Sequence, residues 1–516
     1  MRGMVVFLLA SGSVLVGCGD DGGAPGDAGS GDGGSSTDGA TSPTDSSAID
    51  SSTDGGLPDT DGSLPVDDAS VADPRTSLSG PLGGGTRIRV EVVTSGGGPE
   101  TVIGYFDTTR DEPCFFGVAS DGVVRCLPGP STSVSMGFYG DAGCTESLYL
   151  HATRGGCDPP AYVHATATDM CPRRTTTYSV VAPLADPTSM YQRNAMGMCE
   201  PATPVSGTQP YTLAEIDPAE LASATVVELV RTADLVVEVL ETEGGARAFH
   251  RIASAAGETC SPRRASDDVD RCMPVGISVG ASFADASCTI RLGIVAATAE
   301  CAPPTHAIEG TGACDEPVTV HDVTGAHAGT SYRVSSTTGA CIAGSPSLAY
   351  ATLGGIAAPD QFPATPLEEG PAGRLIERRY AIGDDYGYRK TLFDAVLGAD
   401  CQFLPDRNGD LRCIPFSNGV IVNPAFYRDS GCALPLVSVG GNLCPGPYAV
   451  RRITSDCEPT RYDVVTVGAR FTGTLYQRSG TFCTRPTRPS EFGLAFFRPG
   501  DPVAPEGMVL GTRELR

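Results

Sequence analysis

The chain has 516 residues, of which 36 are Lys or Arg and 61 are Asp or Glu, so its formal net charge at neutral pH is −25. A strongly acidic chain lacks the positive surface that nucleic acids require, and we expect no nucleic-acid partner. Apolar residues make up 40% of the chain, which is enough to bury a core, while 65 Gly and 41 Pro argue against a helix-rich architecture.

The first eighteen residues have the features of a bacterial lipoprotein signal peptide. Arg2 gives a positive start, and residues 4–16 form an apolar segment too short to span a bilayer. The segment ends in Leu15-Val16-Gly17-Cys18, which is similar to the lipobox whose cysteine receives diacylglycerol. We therefore predict a signal peptide over residues 1–18 and a membrane anchor at Cys18. The expected location is the cell envelope, on the periplasmic face of the outer membrane or on the cell surface, with no transmembrane helix.

Residues 19–78 are predicted to be a disordered tether. They are rich in Gly, Asp, Ser, Thr, Ala and Pro and contain 13 Asp but a single Arg, Arg75. Such a segment has too few apolar side chains to offset the entropy lost on ordering. Nearly half of the net negative charge lies in this tether.

The rest of the chain carries three copies of one cysteine-rich unit. The numbers of residues between successive cysteines are 11, 17, 12, 13 and 27 in the first set, 11, 15, 12, 12 and 26 in the second, and 11, 18, 11, 12 and 25 in the third. This spacing predicts repeats over residues 79–230, 231–370 and 371–516, called copies 1, 2 and 3 below. The three sets of six are Cys114, Cys126, Cys144, Cys157, Cys171, Cys199; Cys260, Cys272, Cys288, Cys301, Cys314, Cys341; and Cys401, Cys413, Cys432, Cys444, Cys457, Cys483.

Polar and aromatic residues repeat around the cysteines. An arginine precedes each second cysteine, an aromatic-x-Asp motif precedes each third, and a tyrosine precedes each sixth. We expect the arginines to pair with a local acid or a backbone carbonyl, and the aspartates to accept hydrogen bonds from turn N–H groups. A threefold ligand site built from these side chains is the alternative. The residues are Arg125, Arg271 and Arg412; Tyr139, Phe283 and Tyr427 with Asp141, Asp285 and Asp429; and Tyr191, Tyr332 and Tyr476.

The local patterns predict β-structure. Alternating apolar residues indicate strands near 87–93 and 462–467, and Asp121-Gly122 and Asn408-Gly409 are typical of two-residue hairpin turns. Asp217-Pro218 predicts a short helical turn at the end of a copy. Residues 220–241 have some helical character, but prolines at the matching places of the other copies oppose a helix. We expect six to eight short strands per copy.

Export to an oxidising compartment and an even number of cysteines predict nine disulfides. The favoured pairing is sequential: first with second, third with fourth, and fifth with sixth. Hairpin register argues partly against it, because a two-residue turn places Cys126 opposite Gly117, three residues from Cys114.

The chain shows no recognisable catalytic motif. Its six histidines follow no repeated pattern, and His321 and His327 are expected in an exposed loop. Asp406-x-Asn408-x-Asp410 starts like a calcium loop, but Leu411 and Ser417 stand where Gly and Glu are needed. The sequence contains no His-Glu-x-x-His and no phosphate-binding Gly-rich loop with Lys. We predict no cofactor, no metal and no catalytic residue.

With its Arg-Cys-apolar-Pro and aromatic-x-Asp-x-x-Cys signatures, the unit resembles a cysteine-rich repeat of surface lipoproteins from GC-rich bacteria, a family of unknown function. The resemblance covers about residues 80–516 and implies location and architecture, with no activity to carry over. The expected fold is all-β. The three copies either close into a ring similar to a β-propeller or follow one another as three disulfide-stapled β domains.

The leading functional hypothesis is a non-enzymatic binding or surface-interaction module, anchored in the cell envelope, whose extracellular ligand is a glycan or a protein. The alternatives are an extracytoplasmic hydrolase of the propeller type, with a carboxylate pair in a central funnel, and a purely structural envelope protein.

Overall fold

The computed structural model describes residues 76–77, 83–129, 137–152, 157–167, 172–194, 196–295, 305–310, 316–335, 338–344, 349–383, 386–415, 420–440, 446–453, 459–479, 482–485 and 494–516. The predicted signal peptide, Cys18 and most of the predicted tether lie outside these residues. Thr76–Ser77, which the sequence places in the tether, form a short strand parallel to Tyr386–Gly387 of copy 3. The compact unit begins at Asp73 and extends to Arg516.

The described residues form an all-β protein. From the N-terminus to the end of copy 1, the strands are β1 (Thr76–Ser77), β2 (Ile88–Thr94), β3 (Thr101–Asp107), β4 (Glu112–Val118), β5 (Val124–Pro128), β6 (Phe138–Tyr139), β7 (Leu148–Ala152), β8 (Tyr162–Thr166), β9 (Thr175–Pro183), β10 (Tyr191–Arg193), β11 (Cys199–Pro201) and β12 (Thr208–Glu215). A linking strand and copy 2 follow, with β13 (Ser223–Arg231), β14 (Leu235–Thr242), β15 (Arg247–Ser254), β16 (Thr259–Arg264), β17 (Asp270–Pro274), β18 (Ile277–Phe283), β19 (Arg291–Val295), β20 (His306–Glu309), β21 (Thr319–Ala326), β22 (Tyr332–Val334), β23 (Cys341–Ala343) and β24 (Ala349–Ile356). The remaining strands are β25 (Leu367–Glu369), β26 (Leu375–Ile382), β27 (Tyr386–Asp394), β28 (Ala399–Pro405), β29 (Leu411–Pro415), β30 (Ile421–Tyr427), β31 (Pro435–Gly440), β32 (Tyr448–Ile453), β33 (Arg461–Arg470), β34 (Tyr476–Ser479), β35 (Phe482–Thr484), β36 (Leu494–Pro502) and β37 (Thr512–Leu515).

Apart from the linking strands β13, β25 and β37, each copy holds eleven described strands, more than the six to eight predicted. A 3-10 turn ends each copy, as predicted: Pro218–Glu220, Pro359–Gln361 and Pro505–Gly507. The side chain of Asp217 caps the first of these turns by accepting a hydrogen bond from the N–H of Ala219. The residues after it are the strands β13 and β14, so the repeat argument against a helix is confirmed.

The first half of each copy is a four-stranded antiparallel meander: β2–β5, β14–β17 and β26–β29. The last two strands of each meander are joined by a loop with one residue in the left-handed region. In copy 1 this residue is Gly122, with φ +84°, and the N–H of Ala119 donates to the carbonyl of Val123. The loop therefore has three residues rather than the predicted two, which is the usual geometry of a type I turn followed by a left-handed glycine.

The second half of copies 2 and 3 forms a small five-stranded barrel. In copy 2 the order around the barrel is β18-β19-β24-β21-β20, and β20 pairs with β18 in parallel to close it. Copy 3 repeats this order with β30-β31-β36-β33-β32. Copy 1 shows the corresponding four strands in the order β7-β12-β9-β8. The second half of each copy also contains a short hairpin, formed by β10–β11, β22–β23 and β34–β35.

Linking segments join the three meanders in a closed cycle. At the end of copy 1, β13 pairs with β5 on one side and β14 on the other. At the end of copy 2, Ala364 pairs with Arg271 of β17 before β25 pairs with β26. At the end of copy 3, Leu510 pairs with Arg412 of β29 before β37 pairs with β2 of copy 1.

This cycle corrects both predicted arrangements. No β-propeller is found among the described residues, because a propeller blade is a separate sheet of consecutive strands. Here one sheet contains strands from all three copies, in the order β17-β16-β15-β14-β13-β5-β4-β3-β2-β37. A simple row of three separate domains would also leave the last strand unpaired with the first.

The core follows the same cycle. Ala246, in the first hairpin of copy 2, packs against Cys114 and Cys126 of copy 1. Ile382 and Tyr386 of copy 3 pack against the corresponding cysteines of copy 2, and Val93 of copy 1 packs against those of copy 3. Each first hairpin therefore covers the disulfide-bonded meander of the preceding copy. In the part of the chain that the structure describes, no helix has the length and apolar character needed to cross a membrane.

Candidate functional site

Six disulfides lie within the described residues and follow one pairing rule. The first cysteine of each copy bonds to the second, as predicted, but the third bonds to the sixth, so sequential pairing is wrong for these cysteines. Cys157 is also disulfide-bonded. Cys171, Cys301, Cys314, Cys444 and Cys457 lie outside the described residues. The six bonds are Cys114–Cys126, Cys260–Cys272, Cys401–Cys413, Cys144–Cys199, Cys288–Cys341 and Cys432–Cys483.

The three-residue loop explains why the first pairing is possible. It shifts the register so that Cys126 lies opposite Phe116, two residues from Cys114, rather than opposite Gly117. An even offset keeps both side chains on one face of the hairpin, whereas the predicted offset of three would have put them on opposite faces. The two Cα atoms are 5.4 Å apart.

The repeated arginines hold the end of each copy against its own meander. Nη1 of Arg125, Arg271 and Arg412 donates to the carbonyl of Leu221, Phe362 and Met508, at 2.8, 2.8 and 3.1 Å. Each guanidinium also pairs with an aspartate of the neighbouring hairpin loop: Asp121, Asp267 or Asp406. These contacts direct the chain out of one copy and into the linking segment.

The repeated aspartates organise the loop that carries each third cysteine. Oδ1 of Asp141 accepts from the N–H groups of Glu146 and Thr145 at 2.7 and 2.8 Å, and Asp285 and Asp429 accept equivalent bonds. The hydrogen bond from the N–H of Glu146 is the main reason why the pKa of Asp141 is below its ordinary value. For Asp285 the hydroxyl of Ser287 has the largest lowering effect on the pKa.

The three short hairpins each carry one end of a third-to-sixth disulfide, and we call them the pinned hairpins. The repeated aromatic residues form cross-strand pairs at their bases: Tyr139 with Tyr191, Phe283 with Tyr332, and Tyr427 with Tyr476. In copies 1 and 3 an arginine also lies over the ring of the first tyrosine, Arg193 at 5.5 Å and Arg478 at 5.1 Å. The aromatic-x-Asp motif and the later tyrosine are therefore two halves of one structure.

Exposed apolar side chains lie on or beside these pinned hairpins. Phe482 of copy 3, next to Cys483, is 73% exposed. The corresponding regions carry Met196 and Met198 in copy 1, Val334, Ile342 and Ile290 in copy 2, and Leu434 in copy 3. Sequence reasoning missed these residues because their types differ between copies. What they share is their place in the sequence, because most of them lie within two residues of a third or sixth cysteine.

A second cluster occurs in copy 2. Nδ1 of His306 lies 2.8 Å from Oε1 of Glu258, and its Nε2 lies 3.9 Å from Oδ1 of Asp322. Tyr162 and Tyr448 start the corresponding strands in copies 1 and 3. His321 lies in β21 and not in the predicted loop. Its Nε2 is 3.0 Å from Oε2 of Glu309, which lies on the paired strand β20.

The calcium-like sequence is a hairpin turn. Oδ1 of Asp406 accepts from the N–H groups of Asn408 and Asp410, and its other oxygen binds Arg412. These bonds occupy the carboxylate that would be the first ligand of a calcium loop. Among the described residues, no group of three or more His, Cys, Asp or Glu side chains is arranged to hold a metal ion.

Comparison with known proteins gives a family and no activity. Neither the curated proteins nor the solved structures that were compared match the chain. One family model, described as a family of unknown function (DUF7481), matches residues 66–424. The match starts within the predicted tether and ends within copy 3, and it carries no statement about lipidation or surface location. Since it spans more than half of the chain, the protein belongs to the DUF7481 family of unknown function.

Proposed function

We propose that this protein is a lipid-anchored, extracytoplasmic binding module that acts without catalysis and uses its pinned hairpins to contact another protein. The multiple disulfides suggest an extracytoplasmic protein. The lipobox-like sequence ending at Cys18 supports a lipid anchor, and the composition of residues 19–78 supports a flexible tether between anchor and module.

The observation that carries the proposal is the contrast between the repeated and the variable residues. The arginines and aspartates that repeat in all three copies bind loops and backbone carbonyls of this chain. The apolar side chains beside the pinned disulfides are exposed and differ from copy to copy. Clusters of exposed apolar groups mark protein contacts, and a few well-packed side chains, often aromatic, contribute most of the binding energy.

A matched pair of substitutions tests the contact surface. The full chain in detergent is applied to arrays of extracellular proteins and of glycans, beside the variants Phe482→Ser and Val396→Ser. Val396 is 71% exposed but lies in the β27–β28 turn, away from the pinned hairpins. We expect a protein partner whose binding falls about tenfold with Phe482→Ser and stays unchanged with Val396→Ser. Binding to glycans alone, or equal binding by both variants, would contradict the proposal.

The anchor has its own test. We expect Cys18→Ala to abolish lipid incorporation and to release the chain from the membrane fraction of expressing cells, since two or three acyl chains are needed for stable attachment. A variant that stays in the membrane fraction would show that another feature attaches the protein.

The specific observation that favours an enzyme is the His306 cluster of copy 2, in which a carboxylate lies near each ring nitrogen. This arrangement is compatible with a general base held by one acid. If the protein is an extracytoplasmic hydrolase, the full chain will cleave a chromogenic ester or glycoside and His306→Gln will lower the rate at least about a hundredfold. Equal rates for the two proteins would remove this alternative. Absence of both a partner and a hydrolytic activity would favour a purely structural envelope protein.

A further inference from the structure

A cavity lies where the end of copy 1 meets the first hairpin of copy 2, and we call it the junction cavity. Its volume is about 550 Å³, within the usual range for small-molecule sites. Polar side chains supply much of its wall: Thr86, Arg87, Arg125, Ser223, Thr242 and Glu243. The cavity is separate from the pinned hairpins, so a ligand bound in it is independent of the proposed protein contact.

Small residues create the space. The N–H of Cys126 donates to the carbonyl of Ala222, and the matching cysteines of copies 2 and 3 donate to Pro363 and Val509. This common bond fixes the register, so the next residue is Ser223 at the first junction, Ala364 at the second and Leu510 at the third. Ala222 and Ser223 line the cavity, whereas copy 3 has the larger Val509 and Leu510 in the same places.

The charges of the wall do not favour an anion. Arg87 is paired with Asp107 at 2.8 Å and Arg125 with Asp121 at 2.7 Å, so both guanidiniums are already neutralised. Glu243 makes no hydrogen bond or ion pair with any described residue and contributes a further acceptor. The wall also lacks the large apolar surface that a lipid or an aromatic ligand would need, because Ile88 and Leu221 are its largest apolar residues.

The wall retains both donors and acceptors for hydrogen bonds to a ligand. The hydroxyls of Thr86 and Ser223 have no partner among the described residues, and each can donate and accept. Nη1 of Arg87 is not used in its bonds to Asp107 and to the carbonyl of Glu220, which come from Nε and Nη2. A ligand rich in hydroxyl groups suits such a mixture, since every hydroxyl can both donate and accept.

We propose that the junction cavity binds a neutral, hydroxyl-rich small molecule of monosaccharide or disaccharide size. Glu243 accepts hydrogen bonds from ligand hydroxyls, and Arg87 and Ser223 contribute the complementary donors. The second and third junctions, with Ala364 and Leu510 in place of Ser223, are not expected to bind it.

Ligand-observed NMR with the full chain in detergent tests the proposal. The probes are glucose, galactose, N-acetylglucosamine, maltose, cellobiose and inositol, with inorganic phosphate and lysine as charged comparisons. We expect saturable binding of at least one neutral probe with a Kd of about 1 mM or tighter, and no competition by the charged compounds. Preferential binding of phosphate or lysine, or binding of no neutral probe, would overturn the proposal.

Three variants connect binding to the cavity. Ser223→Leu installs the residue that copy 3 carries at the same register and is expected to weaken binding by at least about tenfold. Ala364→Leu makes the same change in size at the second junction and should leave binding unchanged. Glu243→Gln tests the carboxylate at an exposed position, so it remains informative even if Ser223→Leu fails to fold, and we expect about fivefold weaker binding. Unchanged binding in Glu243→Gln and in a folded Ser223→Leu would place the ligand elsewhere.

Discussion

Residues with left-handed backbone mark the loops that shape each copy. The third cysteines Cys144, Cys288 and Cys432 have φ of 52°, 54° and 51°, so their strain is common to all three copies. Asp268 has φ 60° where the other copies have Gly122 and Gly409. In the turn between β3 and β4, Asp111 has φ 57°, and the corresponding residues of copies 2 and 3 are Gly257 and Gly398. A left-handed residue other than glycine is disfavoured because its Cβ crowds the following carbonyl.

Replacement of Asp268 by glycine is therefore expected to stabilise the protein. Asp268 is exposed, and its backbone N–H bond to Ala265 is retained in the variant. We expect Asp268→Gly to raise the free energy of unfolding by about 0.5–1 kcal/mol. Gly409→Asp is the reciprocal control and should lower it by a similar amount. Calorimetric melting of the two variants measures both effects, and a lower melting temperature for Asp268→Gly would contradict the argument.

The repeated arginines are expected to contribute unequally to the free energy of unfolding, because the aspartates they pair with differ in burial. Asp406 is 0% exposed, whereas Asp267 reaches solvent. We expect Arg412→Met to cost about 3 kcal/mol of unfolding free energy, since it leaves a buried carboxylate without its cation. Arg271→Met should cost clearly less, because its partner Asp267 is exposed and remains hydrated without the guanidinium. Chemical denaturation of the two variants measures the difference, and equal losses would show that the carbonyl contact dominates.

Among the structural elements, the hairpin loop determines which cysteines meet. Two glycines and one aspartate occupy equivalent loop positions, and each gives a three-residue loop that aligns the first and second cysteines. The third and sixth cysteines meet for a different reason. The aspartate loop turns the third cysteine towards the pinned hairpin, which its cross-strand tyrosine holds beside β6, β18 or β30.

The pairing of the remaining cysteines follows by elimination. We predict Cys157–Cys171, Cys301–Cys314 and Cys444–Cys457, because first-with-second and third-with-sixth bonds leave only the fourth and fifth cysteine of each copy. Peptide mapping by mass spectrometry without reduction tests this arrangement. Peptides joining a third to a fourth cysteine, or free thiols at several of these positions, would contradict it.

For the compact unit as a whole, the cyclic arrangement depends on its last strand. β37 pairs with β2, and the backbone of Arg516 exchanges hydrogen bonds with Val90 at 2.8 and 2.9 Å. The side chain of Arg516 also pairs with Glu100. These contacts join copy 3 to copy 1 and place the C-terminus beside the start of β2.

Deletion of residues 512–516 is expected to open this junction. Val92 and Val93 are buried at the junction, so the deletion should lower the melting temperature and increase hydrogen exchange in β2 and β3 more than in β14 and β15. A circular permutant is the matched control: it joins Arg516 to Gly83 through a short linker and opens the exposed turn at 371–373. It retains every strand pair of the cycle and should keep the native exchange pattern. Uniform exchange in the deletion variant would contradict a cyclic arrangement.

Features that depend on local chemistry and on repetition could be predicted from the sequence. Cysteine spacing predicted three copies, alternating apolar residues predicted β-strands, and Asp217-Pro218 predicted the terminal 3-10 turn. The first-to-second disulfide was predicted as part of sequential pairing, although the register of the predicted two-residue turn argued against it. The disulfide-rich composition likewise pointed to an extracytoplasmic protein.

The long-range features became known from the tertiary structure alone. Cys144 and Cys199 are 55 residues apart in sequence, and no single turn brings them together. The pairing of β37 with β2 joins the two ends of the compact unit, and no local pattern specifies it. The wall of the junction cavity depends on which residue follows the backbone bond to a distant cysteine, and this residue is Ser223 at the first junction, Ala364 at the second and Leu510 at the third. These properties arise from contacts between residues far apart in the chain, within one copy or between copies, which residue spacing does not encode.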